Sequence, residues 1–214
     1  MTNEQRRRHV AALLRELGHE FVSRELSDQQ LDDLASVLPP LIDAVGSGDR
    51  IVRTFSSESY ASFSSSIPQG RPQEPHQFFM NSMVSGGANP MGLNASLWRD
   101  GDVAVMEVTL GRAFEGAPGR AHGGSVAALL DETMGLVHVM NEAFAYTAQL
   151  NISFLAPTPI DVPIVARAWL SRREGRKLFI EASLRSGDED LARATAIFIT
   201  VDQSTIGVSV PDEA

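Results

Sequence analysis

Between positions 122 and 141 the chain runs through small and aliphatic residues almost without interruption, and Val126, Leu129, Leu130, Met134, Val137 and Met140 fall around more than one side of a helix. A surface helix keeps one face polar, so a helix that is apolar on several sides has to be surrounded by other elements. Asp131 and Glu132 interrupt the segment, and no run in the chain reaches the roughly 18 consecutive apolar residues of a membrane span. The rest of the chain therefore has to supply a wrapping for residues 122–141.

Downstream, Ala148, Leu150, Ile152 and Phe154 alternate with Thr147, Gln149, Asn151 and Ser153, which predicts a strand whose two faces differ. Three more strands are predicted at 164–172, 177–185 and 191–201, joined at Glu174-Gly175 and Gly187-Asp188, pairs suited to tight turns. Upstream, 93–98 and 103–110 read as a hairpin about Asp100-Gly101. An antiparallel sheet curled around one central helix buries the apolar surface of both partners, an α+β arrangement.

Before this core, Val10, Leu13, Leu14, Leu17 and Phe21 recur at helical spacing with Arg and Glu between them, which predicts one amphipathic helix. A second starts after Ser27, a residue able to cap the first turn, and is expected to carry Leu31, Leu34, Leu38, Leu41 and Val45 inward, with a kink or break at Pro39-Pro40. From Ser56 to Pro90 the composition turns to Ser, Pro, Gly and Gln with no sustained period, so a connecting segment is expected. It reads either as a flap around Phe78, Phe79 and Met80 or as a tether. The expected organisation is an N-terminal helical extension at 1–55, the connecting segment or flap at 56–91, the core domain at 92–204 and a tail at 205–214.

The formal charge of −9 opposes nucleic acid binding, since the one basic cluster, Arg172, Arg173, Arg176 and Lys177, is small. Such a cluster suits a phosphorylated small molecule or a solvated hairpin tip. No cysteine is present, which excludes a disulfide scaffold, a thiolate-bound metal and a thiol nucleophile, and fits a reducing cytoplasm. The five histidines, His9, His19, His76, His122 and His138, lack ligand spacing, so no metal is expected. Arg6, Arg7 and Arg8 precede an amphipathic, acid-containing stretch rather than an export signal, and no membrane association is expected.

Asp131 is the informative anomaly, because a carboxylate in an apolar helix costs several kcal/mol unless it is paired or used. Glu132 is expected to point to solvent or to a contact between subunits. The turn Gly119-Arg120-Ala121-His122-Gly123-Gly124 leads into the helix; its glycines let another molecule approach, and the first amides of a helix have no internal acceptor. Those amides and the helix dipole suit the oxyanion formed when a carbonyl is attacked.

The run Phe114-Glu115-Gly116-Ala117-Pro118-Gly119-Arg120-Ala121-His122-Gly123-Gly124, with Asp131 nine positions after His122, resembles hotdog-fold acyl-CoA thioesterases of the phenylacetate-pathway type. Residues Tyr146-Thr147-Ala148-Gln149-Leu150-Asn151-Ile152-Ser153-Phe154 and Glu174-Gly175-Arg176-Lys177 extend the likeness toward members four and five of the mammalian thioesterase superfamily. The resemblance spans about 92–202 and implies a hotdog fold and hydrolysis of acyl-CoA to free acid and coenzyme A. It implies that the Gly123 amide meets the thioester oxygen, that His122 orients the acyl group, and that Asp131 of a facing subunit attacks or activates water. It further implies that Thr147 positions water or the carboxylate. Gly124, Ser153, Arg176 and Lys177, with Arg172 nearby, would hold the substrate, whose coenzyme A is no separate cofactor. His138 is expected to pack within the helix surroundings.

A site shared between chains implies a homodimer or a dimer of dimers. Two other readings fit the same fold: a hydratase, which would need an acid and a histidine set for proton transfer, and an acyl-CoA sensor without catalysis.

Overall fold

The computed structural model describes residues 1–51, 57–77 and 79–202. Phe78 of the expected flap and the tail 205–214 lie outside the described residues. The chain order is α1 (Asn3–Ser23), α2 (Asp28–Gly46), α3 (Ser57–Ser66), β1 (Ser96–Asp100), β2 (Val103–Thr109), α4 (Gly123–Met140), β3 (Ala145–Phe154), β4 (Pro163–Glu174), β5 (Lys177–Ser186) and β6 (Glu189–Thr200). The strands form one antiparallel sheet in the order β1-β2-β4-β5-β6-β3. Leu129, Leu130, Met134 and Val137 of α4 are buried against Met106, Ile164, Leu178, Ile180 and Phe198 of the sheet. This is the hotdog arrangement expected from the alternating strands and the apolar helix.

The two edges of the sheet are treated differently. Along β1, Gly70 N donates to Arg99 O at 2.7 Å, Arg99 N to Pro68 O at 2.8 Å and Leu97 N to His76 O at 2.9 Å, so the connecting segment covers that edge. At the other edge, β3 pairs only with β6 among the described residues and leaves Tyr146, Phe154 and the following Leu155 exposed. A long, partly apolar open edge of this kind invites another strand.

Strict alternation fails in β3. The pairing jumps from Thr147↔Phe198 to Gln149↔Ile197, a bulge at Ala148. Thr147 therefore shares the inner face with buried Phe198, rather than the face of Gln149, Asn151 and Ser153 to which an unbroken period assigns it.

Three further expectations are corrected. The connecting segment contains a helix, α3, whose Phe63 stacks on Phe79 with ring centroids 5.9 Å apart. Helix α2 continues through Pro39 and Pro40 instead of breaking. Each proline removes an amide donor, but α2 is exposed along its length and the carbonyls left over meet water. Finally, Leu31, Leu38, Leu41 and Val45 do not face inward; they are exposed, as are Val10, Leu13, Leu14, Leu17 and Phe21 of α1. No helix among the described residues is long and apolar enough to cross a membrane.

Candidate active site

The turn before α4 is held open by backbone bonds. Gly116 N donates to Arg120 O at 2.8 Å, Ala121 N to Thr158 O at 2.9 Å and His122 N to Phe114 O at 2.8 Å, while the Glu115 carboxylate takes the Gly119 amide. Gly119 has φ +74°, a conformation side chains rarely adopt. His122 is the N-cap of α4, and its Nδ1 accepts the Gly124 amide at 2.9 Å, so the ring is bound to the helix start. A Cβ at Gly124 would lie 3.0 Å from that nitrogen, which explains a glycine there.

Gly123 is exposed, and its amide donates to no acceptor among the described residues. It faces the ring of Phe154, since a Cβ would meet Cζ at 3.4 Å. With Gly116, Ala117, Arg120, His122, Val126 and Phe154 it lines a cleft of about 650 Å³. The helix start thus presents a free donor at the positive end of the dipole, beside apolar walls.

Two turns along α4, Asp131 is half-buried and accepts a hydrogen bond from Thr147 Oγ1 at 2.9 Å. The bulge at Ala148 makes this contact possible. Asp131 belongs to a flank of α4, with Ala128, Gly135 and His138, that the chain's own sheet covers only in part. This flank is therefore less fully covered than the one carrying Leu129, Leu130, Met134 and Val137.

Glu132 does not point to solvent. It accepts Ser82 Oγ at 2.6 Å, Ser85 N at 3.1 Å and Ser85 Oγ, so it anchors the loop before β1 to the helix. Its partners lie about 50 positions upstream, in a stretch without period, and no local signal marks them. His138 is half-buried; Nδ1 donates to Ala143 O at 2.7 Å and the ring packs against Phe198. Burial lowers its pKa to about 4, the bond to Ala143 opposing that only partly, so the ring is neutral near pH 7.

The residues proposed for coenzyme A do not converge within one chain. Ser153 lies on the outer face of the sheet, where it pairs with Arg193 and lines a shallow hollow with Trp169 and Glu181. Arg172 shares that face, its guanidinium 3.6 Å from the centre of the Phe179 ring and its Nε 2.7 Å from Glu174 Oε1. Arg176 Nε donates to Thr200 O at 3.0 Å, and Lys177 is exposed at the same hairpin. Lys177 and Ser153 are separated along the strands by six residues, roughly 20 Å.

Gly123 and Asp131 are also apart. Eight residues of α-helix span about 12 Å, too far for both to act on one carbonyl.

Residues 118–193 match the model of the thioesterase superfamily. Acyl-coenzyme A thioesterase THEM4 of Mus musculus is 39% identical over 94 residues, 43% of this chain and 40% of the relative. Acyl-coenzyme A thioesterase THEM5 of Homo sapiens is 34% identical over 91 residues, 42% and 37% of the two chains. The chain thus spans about two-fifths of the length of these curated relatives. A crystal structure of a thioesterase superfamily protein superposes with a TM-score of 0.76 at 19% identity over 90% of both chains. That match shares the fold beyond the core, because 90% of the chain reaches into the N-terminal helices.

Proposed function

We propose that the protein, whose residues 118–193 match the thioesterase superfamily, hydrolyses acyl-CoA thioesters to free acid and coenzyme A, in a site that two copies of the chain complete. The observation that carries this is the separation of its two halves. The free Gly123 amide lies by Phe154 at one end of β3, and the Asp131–Thr147 pair lies at the other. Antiparallel pairing of two β3 edges, with the two-fold near Leu150 and Asn151, brings the partner's Thr147 end beside Phe154. The open edge of β3 and the uncovered flank of α4 support such a pairing.

In that site the thioester oxygen accepts the Gly123 N–H, and His122, fixed by Gly124, lies against the acyl group. The negative charge that grows on the oxygen during attack is held by the amide and the helix dipole. Asp131, oriented by Thr147, takes a proton from the attacking water, or attacks the carbonyl carbon itself to form an anhydride that water opens. Either way the C–S bond breaks, the sulfur of coenzyme A leaves and is protonated, and the acid is released. The same pairing sets Arg176 and Lys177 of one chain on the outer face with Ser153 of the other, three strand spacings or about 14 Å apart. That spread matches a long phosphorylated ligand, with Arg172 of β4 beside Lys177 on the side away from Ser153. A homodimer, or a dimer of dimers, in a cytoplasmic setting and in lipid metabolism, completes this reading.

Thiol release from acyl-CoAs of graded chain length tests it. Asp131→Asn keeps the Thr147 contact and the fold, and is expected to lower kcat by at least about a thousandfold, a size usual for loss of an essential base or nucleophile. Unchanged release would remove Asp131 from the chemistry.

A further inference from the structure

Twelve of the twenty-two exposed large apolar side chains among the described residues belong to α1 and α2, so the extension, more than the core, lacks a cover within one chain. Helix α1 docks on its own core by a polar face. Arg8 bonds the Gln77 side chain, Arg15 Nη1 donates to Asn89 O at 2.6 Å, buried Ala11 lies between them, and His19 Nδ1 accepts the Ala113 amide at 2.9 Å. At 100° per residue, Arg8, Ala11, Arg15 and His19 lie nearly opposite the stripe of Leu13, Leu14, Leu17 and Phe21. The stripe faces away from the core.

Helix α2 follows after four residues, a connection short enough for an antiparallel helix hairpin, yet it makes no substantial packing with α1 and buries no residue. It also carries two internal prolines, each costing about 3 kcal/mol in a helix interior. In proteins a helix gains most of its stability from packing an apolar face.

Each chain therefore offers two apolar stripes, and a two-fold axis lets each serve the other's partner. The charges agree. Helix α2 has Asp28, Asp32, Asp33 and Asp43 and no Lys or Arg, while Arg6 and Arg7 of α1 make no ion pair among the described residues. The anchor of α1 is also next to the shared site: His19 packs on Phe114 with ring centroids 5.4 Å apart, and Phe114 O accepts the His122 amide. The end of α1 from which α2 departs thus lies at the rim where the partner's Asp131 would enter.

We propose that α2 crosses to a second copy of the chain and lays Leu34, Leu38 and Leu41 on the outward stripe of that copy's α1, so that the extensions clasp the dimer. This rests on the β3-paired dimer proposed above.

Hydrogen exchange of the full chain, with sedimentation at the same concentrations, tests the exchange of helices. Amides of residues 31–45 are expected to exchange about 100-fold or more slowly than in an unpacked helix, and to lose that protection on dilution. The chain has no cysteine, so Leu17→Cys in one preparation and Leu38→Cys in another, mixed and oxidised, are expected to form a disulfide between unlike chains. Fast exchange in 31–45 at every concentration, protection only in the presence of anionic vesicles, or closure of the disulfide within one chain of the doubly substituted protein would each overturn the proposal. A sedimenting, active dimer with unprotected α2 refutes the clasp alone, whereas an active monomer refutes the shared site as well.

Discussion

The two flanks of α4 carry neighbouring carboxylates with opposite fates. On the flank against the loop before β1, Glu132 accepts three hydrogen bonds from Ser82 and Ser85, and its lone pairs are largely used. On the flank toward β3, Asp131 has one donor among the described residues, Thr147, and stands half-open. A carboxylate whose partners are all internal holds structure together. One with spare lone pairs beside an open sheet edge is available to a substrate or a water. One helical step decides which flank, and hence which role, each acid takes.

The comparison breaks first if the open flank is not completed by a second chain. Gly123→Pro removes one amide from the helix start at the position where proline is best tolerated, and His122 already has the extended backbone that a following proline requires. The variant is expected to fold and to lose about 10²–10³ in kcat, as for loss of one oxyanion donor. Mixed with Asp131→Asn and allowed to exchange subunits, the two inactive proteins are expected to regain about a quarter of the original rate. Half the dimers are then mixed, and each holds one intact site of two. No recovery on mixing would place both groups in the same chain.

The next largest effect falls on the other flank. Glu132→Ala leaves Ser82 and Ser85 without their acceptor and is expected to cost roughly 3–4 kcal/mol in chemical denaturation, since it breaks a partly buried charged network. Glu132→Gln retains part of it and should cost less. If Glu132→Ala instead abolished turnover in a protein of unchanged stability, the division of roles between the two acids would be wrong.

Much of this architecture is legible in the sequence. The apolar run at 122–141 called for a wrapping, the period of two and the Gly-containing turns supplied its strands, and the amide end of α4 followed from a glycine turn leading into a helix. What was not legible has identifiable causes. The bulge at Ala148 inverts the face of Thr147, and alternation alone has no means of announcing an extra residue. Glu132 is satisfied from about 50 positions away by serines in a stretch without period. Leu31, Leu38 and Leu41 read as inward because an amphipathic period says that a face is to be covered and is silent on which chain covers it. Ser153, Arg176 and Lys177 read as one group in the sequence, whereas the strands hold Ser153 far from the other two in one copy.

His138, one turn beyond Gly135 on the open flank, shows the smallest of these effects and sets how far the flank is closed by its own chain. Burial depresses its folded pKa to about 4, against about 6.5 in the unfolded chain. Above pH 6.5 both states are neutral and the native packing on Phe198 keeps its full benefit. As pH falls below 6.5 the unfolded chain takes up the proton first, so stability declines with decreasing pH down to about 4, where the native ring also protonates and the decline levels off. The loss has an upper bound of about 3 kcal/mol, the free energy equivalent of a shift of that size, and less if the ring gains water on loosening. Denaturation midpoints of the parent and of His138→Gln, measured from pH 7 to pH 4, are expected to converge as the pH falls, because the variant lacks this titration. Parallel curves would mean that the ring is already open to water, and that the flank carrying Asp131 is looser than its packing implies.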